Sequence, residues 1–239
     1  MAETQGALSV DGAANQILED LGVKKIEDKI MFWSVFGGMP RFYAMLEKLG
    51  IKSYKEFEKI FLASNSRPML DEGSAILTSE FGGEYKTYYT VMEAIANSRT
   101  TLSEIASLFD NQPTVANRYL DLLRKEYGLV AKTTPVTADL KTRQGSYVLK
   151  NNFLKFWFRF LKRFESYYEQ NRANQAFSEY LKAFNSFVGK SFEDYCIELL
   201  KQNIIKPPFR LEIIGKEWGS YSEDRERKTF EIDMAATNS

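Results

Sequence analysis

Apolar residues recur at helical spacing over most of this chain and at strand spacing only in short stretches. Residues 16–33 have the pattern of a helix, with a break expected at Gly22. Ser53 to Phe61 predicts another helix, because Ser53 and Glu56 have the spacing of a capping box. Further helices are predicted over residues 153–168, 175–187 and 187–203. The pattern therefore predicts an α+β protein that is mostly helical.

The centre of the chain, residues 84–150, has a different succession of elements. Three short helices are expected, the first around Tyr88, the second opened by Thr101 and the third begun by Pro113. Two alternating runs, 129–132 and 146–149, then predict a β-hairpin. Three helices followed by a hairpin is the order of a winged helix-turn-helix, in which residues 135–145 would form the wing.

Two more strands are predicted near the C-terminus, over residues 209–218 and 229–236. The charged segment Ser220 to Lys228 between them is expected to be a loop. An incomplete sheet of this kind would expose an unpaired strand edge, which usually needs covering. Dimerisation through that edge is therefore a prediction.

Charge is unevenly distributed along a chain whose 32 Lys and Arg residues balance its 32 Asp and Glu residues. Between Arg124 and Arg163 there are ten cations and two acids, a local net charge of +8. A stripe of this kind suits the neutralisation of nucleic-acid phosphates. The alternative is that these lysines and arginines extend from a packed face and contact no nucleic acid.

The third central helix contains the residues that would read base edges in the major groove. We expect Val115, Tyr119 and Leu122 to be buried, which leaves a polar face between them. The predicted DNA-binding residues are Thr114, Asn117 and Arg118 on the helix, and Lys141 and Arg143 on the wing.

Residue types that are absent exclude several kinds of chemistry. The chain has no histidine, which removes Ser-His-Asp hydrolysis, Cys-His proteolysis and histidine-ligated zinc sites. Its single cysteine, Cys196, cannot form an intrachain disulfide and is expected to be a small buried apolar residue. The first residues do not form a signal peptide, and cations interrupt the most apolar run, residues 153–161. We therefore expect a cytoplasmic protein that does not contact the membrane.

The chain resembles the C-terminal part of archaeal-type AAA/STAND ATPases, in which a lid region, a winged helix and a restriction-endonuclease-like domain follow one another. The resemblance covers about residues 27–236. It rests on Phe36–Pro40, Glu84–Tyr88, Asn152–Phe160, Gly189, Phe192–Glu193, Trp218 and Glu231–Asp233. It implies a lid-like region over 1–83, a winged helix over 84–150, a helical connector over 151–186 and part of a nuclease-like α/β domain over 187–239.

Two departures from this family limit the activity that we expect. No phosphate-binding loop of the form G-x-x-x-x-G-K-[ST] is present, since the glycines of Gly82–Thr87 have the wrong spacing. Of the nuclease groups, the resemblance places Glu193 and Asp233 at the first two metal-binding positions, with Glu231 as a neighbour. The acid-x-lysine strand that would complete the Mg²⁺ site has no counterpart before Ser239. We therefore expect no catalytic residues, no bound metal and no cofactor.

Three functions remain as hypotheses. The first is a non-catalytic module that binds double-stranded DNA in an ATPase system. The second is a module that docks on a protein partner, or on a second copy of itself, without contacting DNA. The third is the remnant of a Mg²⁺-dependent nuclease.

Overall fold

A computed structural model describes residues 10–64, 67–82, 86–138, 145–201, 211–223 and 226–237. The chain divides into two compact units. Unit 1 comprises Met1–Gly83 and Asn151–Lys190, and unit 2 comprises Glu84–Lys150 and Ser191–Ser239. The four-part division expected from the resemblance stays a prediction.

The described residues are mostly helical, with two small antiparallel sheets, in agreement with the predicted α+β class. The α-helices are α1 (Val10–Asp20), α2 (Ile26–Phe36), α3 (Pro40–Leu49), α4 (Tyr54–Phe57), α5 (Arg67–Phe81), α6 (Lys86–Ala96), α7 (Leu102–Ala106), α8 (Pro113–Lys125), α9 (Asn152–Phe156), α10 (Glu165–Glu169) and α11 (Ala173–Lys201). The strands are β1 (Val130–Thr133), β2 (Ser146–Leu149), β3 (Ile213–Glu223) and β4 (Glu226–Thr237). Segments Glu58–Ser64 and Trp157–Leu161 are π-helical, and Ser107–Phe109 and Lys162–Phe164 are 3₁₀ turns.

Unit 1 has a core built largely from aromatic side chains. Phe36, Phe156 and Phe160 are buried there, together with Trp157, whose indole Nε1 donates a hydrogen bond to the Leu70 carbonyl oxygen at 3.0 Å. Gly73 leaves room for this indole, because a Cβ atom at that position would lie 2.2 Å from Trp157 Nε1. Large rings that pack closely bury much apolar area, so these aromatic residues form the core of this unit.

Two local predictions in unit 1 are confirmed. The chain leaves the helical conformation around Gly22, at a φ of 81°, so α1 and α2 are separate helices. The capping box at Ser53 is formed. Its hydroxyl accepts a hydrogen bond from the Glu56 backbone N–H at 3.3 Å, and the Glu56 carboxylate accepts one from the Ser53 N–H at 3.2 Å.

One predicted helix boundary in the second half is absent from the structure. Helix α11 runs unbroken through Phe187, where the helices 175–187 and 187–203 were predicted to meet. Phe187 and Ser191, one helical turn apart on either side of Gly189, are both buried, and a single interior glycine costs only about 1 kcal/mol. The segment 153–168 is helical throughout, as predicted, and contains a π-helical turn and a 3₁₀ turn between α9 and α10.

Unit 2 contains the elements predicted for the centre of the chain. Helices α6, α7 and α8 are followed by β1 and β2, which pair antiparallel with Val130 opposite Leu149. Thr101 opens α7 as the N-cap of a second capping box with Glu104. The buried side chains of this part include Val91, Met92, Ile95, Ile105, Leu120, Leu123, Val130 and Leu149.

The C-terminal strands form one long hairpin, and the prediction of a charged loop between them was wrong. Strands β3 and β4 pair antiparallel far into the predicted loop, with Tyr221 opposite Lys228 and Ser222 opposite Arg227. In this extension Lys228 Nζ lies 2.7 Å from the Glu223 carboxylate on the facing strand, an exposed ion pair that adds a small contribution to the cross-strand contacts. In the part of the chain that the structure describes, no helix combines the length and the apolarity needed to cross a bilayer.

Candidate nucleic-acid interface

Helix α8 presents the three predicted helix residues on its outer face. Thr114, Asn117 and Arg118 are all exposed. The predicted buried stripe was one position off, since Val115, Tyr119 and Leu122 are only half-buried. The buried residues are Ala116, Leu120 and Leu123, which pack towards the interior of unit 2. This rotation of the helix leaves the polar face outermost.

The one acid on this face is neutralised within the helix. Asp121 Oδ1 lies 3.2 Å from Arg124 Nη1, and its Oδ2 lies 3.3 Å from Lys125 Nζ. Two cations therefore surround the only carboxylate on the outer face of α8, and this arrangement weakens the repulsion of a nearby phosphate. Arg118 itself has no hydrogen bond or ion pair to any residue that the structure describes.

An aromatic cluster flanks α8 on one side. The Tyr88 ring lies edge-on to Tyr119, with 5.6 Å between centroids, and to Tyr127 at 5.3 Å. Phe109 stacks on Tyr119 at 5.3 Å. Burial and the neighbouring Tyr127 raise the pKa of Tyr88, and the positive charge of Arg118 opposes this shift. The cluster fixes α8 against α6 while leaving all four rings half-exposed.

The connection between β1 and β2 is described only in part, and Lys141 and Arg143 lie outside the described residues. Its first residues are bound to the C-terminal hairpin. The Val136 N–H donates to the Lys216 carbonyl oxygen at 3.1 Å. Thr137 donates to the Glu217 carboxylate through its N–H at 2.9 Å and its hydroxyl at 2.8 Å. No sequence signal joins these positions, which are 80 residues apart.

Of the two nuclease-like acids, Glu193 has a partner that the sequence did not indicate. Lys216 Nζ lies 2.8 Å from the Glu193 carboxylate and 3.2 Å from that of Asp194. Burial by itself would lower the pKa of Lys216, but the two neighbouring carboxylates raise that pKa above its ordinary value. Asp233 is exposed on β4.

Among the described residues, no group of three or more Asp, Glu or Cys side chains is arranged to hold a metal ion. The assignment of Glu193 and Asp233 to a metal site stays a prediction. Cys196, expected to be buried, is half-buried on α11, and its partial burial raises the pKa of the thiol.

Comparison with known proteins gives one family and one relative. Residues 157–239 match DUF234, a family described as archaeal and bacterial proteins of unknown function. The uncharacterized protein MJECL04 of Methanocaldococcus jannaschii is 32% identical over 161 residues, which cover 65% of this chain and 33% of that protein. The chain thus spans about a third of the length of this relative. No solved structure matches the chain.

Proposed function

We propose that α6, α7, α8 and the β1–β2 hairpin form a winged helix-turn-helix, and that this module binds double-stranded DNA through the outer face of α8. The proposal rests mainly on the exposure of Arg118 and on its lack of an intramolecular partner among the described residues. This guanidinium is exposed, has no intramolecular partner among the described residues and lies beside an acid that two other cations neutralise. A guanidinium in this position is available for a guanine edge or a phosphate.

The geometry of α8 suits entry into the major groove. Thr114 and Asn117 lie in its first turns, and recognition helices use their N-terminal residues to contact base edges. The positive end of the helix dipole is at the same end, where it favours an approaching phosphate. Lys132 on β1 and Lys150 after β2 are exposed and add cations to unit 2. The basis of the proposal is thus local to unit 2.

The test is the binding of a labelled mixed-sequence duplex, measured by fluorescence anisotropy at low and moderate salt. We expect wild-type affinity to fall steeply with salt, because binding releases counterions. Arg118→Ala should weaken binding by roughly 1–3 kcal/mol. Arg67→Ala is the matched control, since it removes one exposed arginine from a helix of unit 1. Absence of binding at low salt, or equal weakening by both variants, would contradict the proposal.

The C-terminal hairpin favours a second function, dimerisation of this chain through β4. The apolar side chains of Phe230, Ile232 and Met234 alternate along β4 and are exposed. Among the described residues β4 pairs with β3 alone, so its other edge has open backbone donors and acceptors. Exposed strand edges of this kind associate by adding a further strand.

The charge pattern of β4 favours a second copy as the added strand. If two β4 strands pair antiparallel about Phe230, Arg227 of each copy lies opposite Asp233 of the other. The two Phe230 rings then face each other, as an aromatic cross-strand pair. The pairing is symmetric, as a two-fold interface requires.

Sedimentation velocity over a range of concentrations tests the dimer. We expect wild type to dimerise and Ile232→Lys to remain monomeric, because the new lysine lies on the exposed face of β4. Ile213→Lys on β3 makes the same change at an exposed residue opposite Thr237 and should leave the dimer intact. A monomeric wild type would exclude this function, and so would an Ile232→Lys variant that dimerises as the wild type does.

A further inference from the structure

Several half-buried cations among the described residues are paired with carboxylates, and Arg159 is not. Lys29 lies 2.6 Å from Glu19, Lys216 lies 2.8 Å from Glu193, and Lys162 pairs with Glu165. Arg159 is half-buried on the π-helical segment Trp157–Leu161 of unit 1. No hydrogen bond or ion pair joins it to any described residue. Its guanidinium carbon lies 5.8 Å from the centroid of the neighbouring Phe160 ring, at the outer limit of a cation–π contact.

A second cation next to Arg159 makes its position less favourable. Arg163 follows four residues later, is exposed and also has no ion pair to a described residue. Burial lowers the pKa of Arg159, and the positive charge of Arg163 lowers it further. Neither guanidinium group is paired with a carboxylate of a described residue, although a partly buried charge normally has a partner.

The surrounding structure holds Arg159 in place. Trp157, Phe158, Phe160 and Leu161, its neighbours along the chain, are each at most 2% exposed. The backbone of this segment is therefore anchored by four buried side chains. Single π-helical turns of this kind also recur at functional sites, because they reorient side chains within a helix.

We propose that Arg159 and Arg163 form a binding site for a phosphate group. The anion would compensate both positive charges, and planar guanidinium groups can each donate two parallel hydrogen bonds to phosphate oxygens. The site lies in unit 1 and rests on none of the observations made for α8, so it stands independently of duplex binding by unit 2. Its phosphate could belong to a nucleic-acid strand or to a small phosphate compound.

Isothermal titration of the full chain tests this site, with inorganic phosphate, pyrophosphate and a single-stranded oligonucleotide as probes. Sodium chloride at matched ionic strength is the reference. We expect binding that Arg163→Gln weakens about tenfold or more, the loss expected when a charge-assisted hydrogen-bond pair is removed. Arg163 is exposed, so this variant should keep the fold, which circular dichroism checks.

Two further variants separate phosphate recognition from a general effect of charge. Arg159→Lys keeps the charge but loses the forked donor geometry, and it should also weaken binding. Arg172→Gln is the matched control, because this exposed arginine hydrogen bonds to Gln175 and lies over the Tyr167 ring. It should leave binding unchanged.

The three probes also identify the source of the phosphate. Binding of phosphate or pyrophosphate indicates a small phosphate compound, whereas binding of the oligonucleotide alone indicates a nucleic-acid backbone. The proposal is overturned if no probe binds more tightly than chloride. It is overturned equally if Arg163→Gln binds as wild type does.

Discussion

The aromatic core of unit 1 and the β3–β4 hairpin of unit 2 use the same kinds of residue in opposite ways. In the core, Phe156 and Phe160 are at most 2% exposed. On β4, Phe230, Ile232 and Met234 are 38%, 48% and 49% exposed. Burial of apolar area stabilises the first region, whereas a two-stranded hairpin is marginally stable on its own. The difference shows that apolar residues form the core of unit 1 but stay exposed on the hairpin, where the proposed dimer would cover them.

The largest expected effect is the loss of a core ring. Phe156→Ala should lower the free energy of unfolding by about 3–5 kcal/mol, because the substitution leaves a cavity among rings that cannot close around it. Phe230→Ala, the same change on β4, should alter it by roughly 0.5 kcal/mol or less at protein concentrations too low for the proposed β4 dimer to form. Urea denaturation followed by circular dichroism measures both variants.

Comparable losses for the two variants would break the comparison. Such a result would mean that Phe230 is buried in solution, as it would be in the proposed β4 dimer. Repeating the denaturation of wild type and Phe230→Ala at several protein concentrations distinguishes burial of Phe230 in a dimer from burial within one chain, because the stability of a dimer depends on concentration.

The elements of unit 2 illustrate how much of the fold the sequence can predict. Helices α6 to α8 were predictable because Thr101 and Pro113 mark helix starts and apolar residues follow at helical spacing. The rotation of α8 was missed, since Ala116 is small and its burial gives a weak hydrophobic signal beside Val115 and Tyr119. The contact of Thr137 with Glu217 had no local signal at all, because it depends on the tertiary fold.

The candidate sites show the same limit. Exposure of Thr114, Asn117 and Arg118 was predictable from their polarity and spacing. The isolation of Arg159 was not, because it depends on which carboxylates the fold brings near. The charged run on the C-terminal hairpin was misread for a related reason. The charge of this segment suggested a loop, but its residues pair across β3 and β4, and Lys228 lies beside Glu223.

The two capping boxes allow a smaller test on both units. Ser53 caps α4 in unit 1 and Thr101 caps α7 in unit 2, each with a glutamate three residues later. Ser53→Ala and Thr101→Ala should each lower the free energy of unfolding by about 1 kcal/mol, because one backbone N–H loses its acceptor. Ser79→Ala, in the exposed last turns of α5, is the control and should have no such cost. Thermal denaturation measures all three variants, and a cap variant as stable as the Ser79 control would contradict the role of that box.

The smallest expected effect is a pH dependence of stability that comes from Glu58, at the edge of the aromatic core. Tyr180 donates a hydrogen bond to the Glu58 carboxylate at 2.7 Å. Partial burial raises the pKa of Glu58, the hydrogen bond from Tyr180 opposes the shift, and the negative charge of Asp28 adds to it. The folded protein therefore binds this proton more tightly than the unfolded chain does. That contribution to stability is present below the unfolded pKa of about 4.3 and is lost as pH rises through the higher folded pKa.

Glu56, two residues earlier, should behave in the opposite way. Backbone hydrogen bonds from Lys52 and Ser53 lower its pKa, so its contribution is present above the unfolded pKa and is lost as pH falls through the folded value. Relative to wild type, Glu58→Gln should therefore gain stability as pH rises from about 4 towards neutrality. Glu56→Gln should be less stable than wild type above about pH 4.3, and this difference should shrink as pH falls below that value. Urea midpoints measured from acidic pH to neutrality give both trends. Parallel pH profiles for the two variants would mean that Glu58 is as accessible to water as Glu56 on the surface of α4. The contrast in burial between the core and the hairpin would then be limited to the aromatic rings.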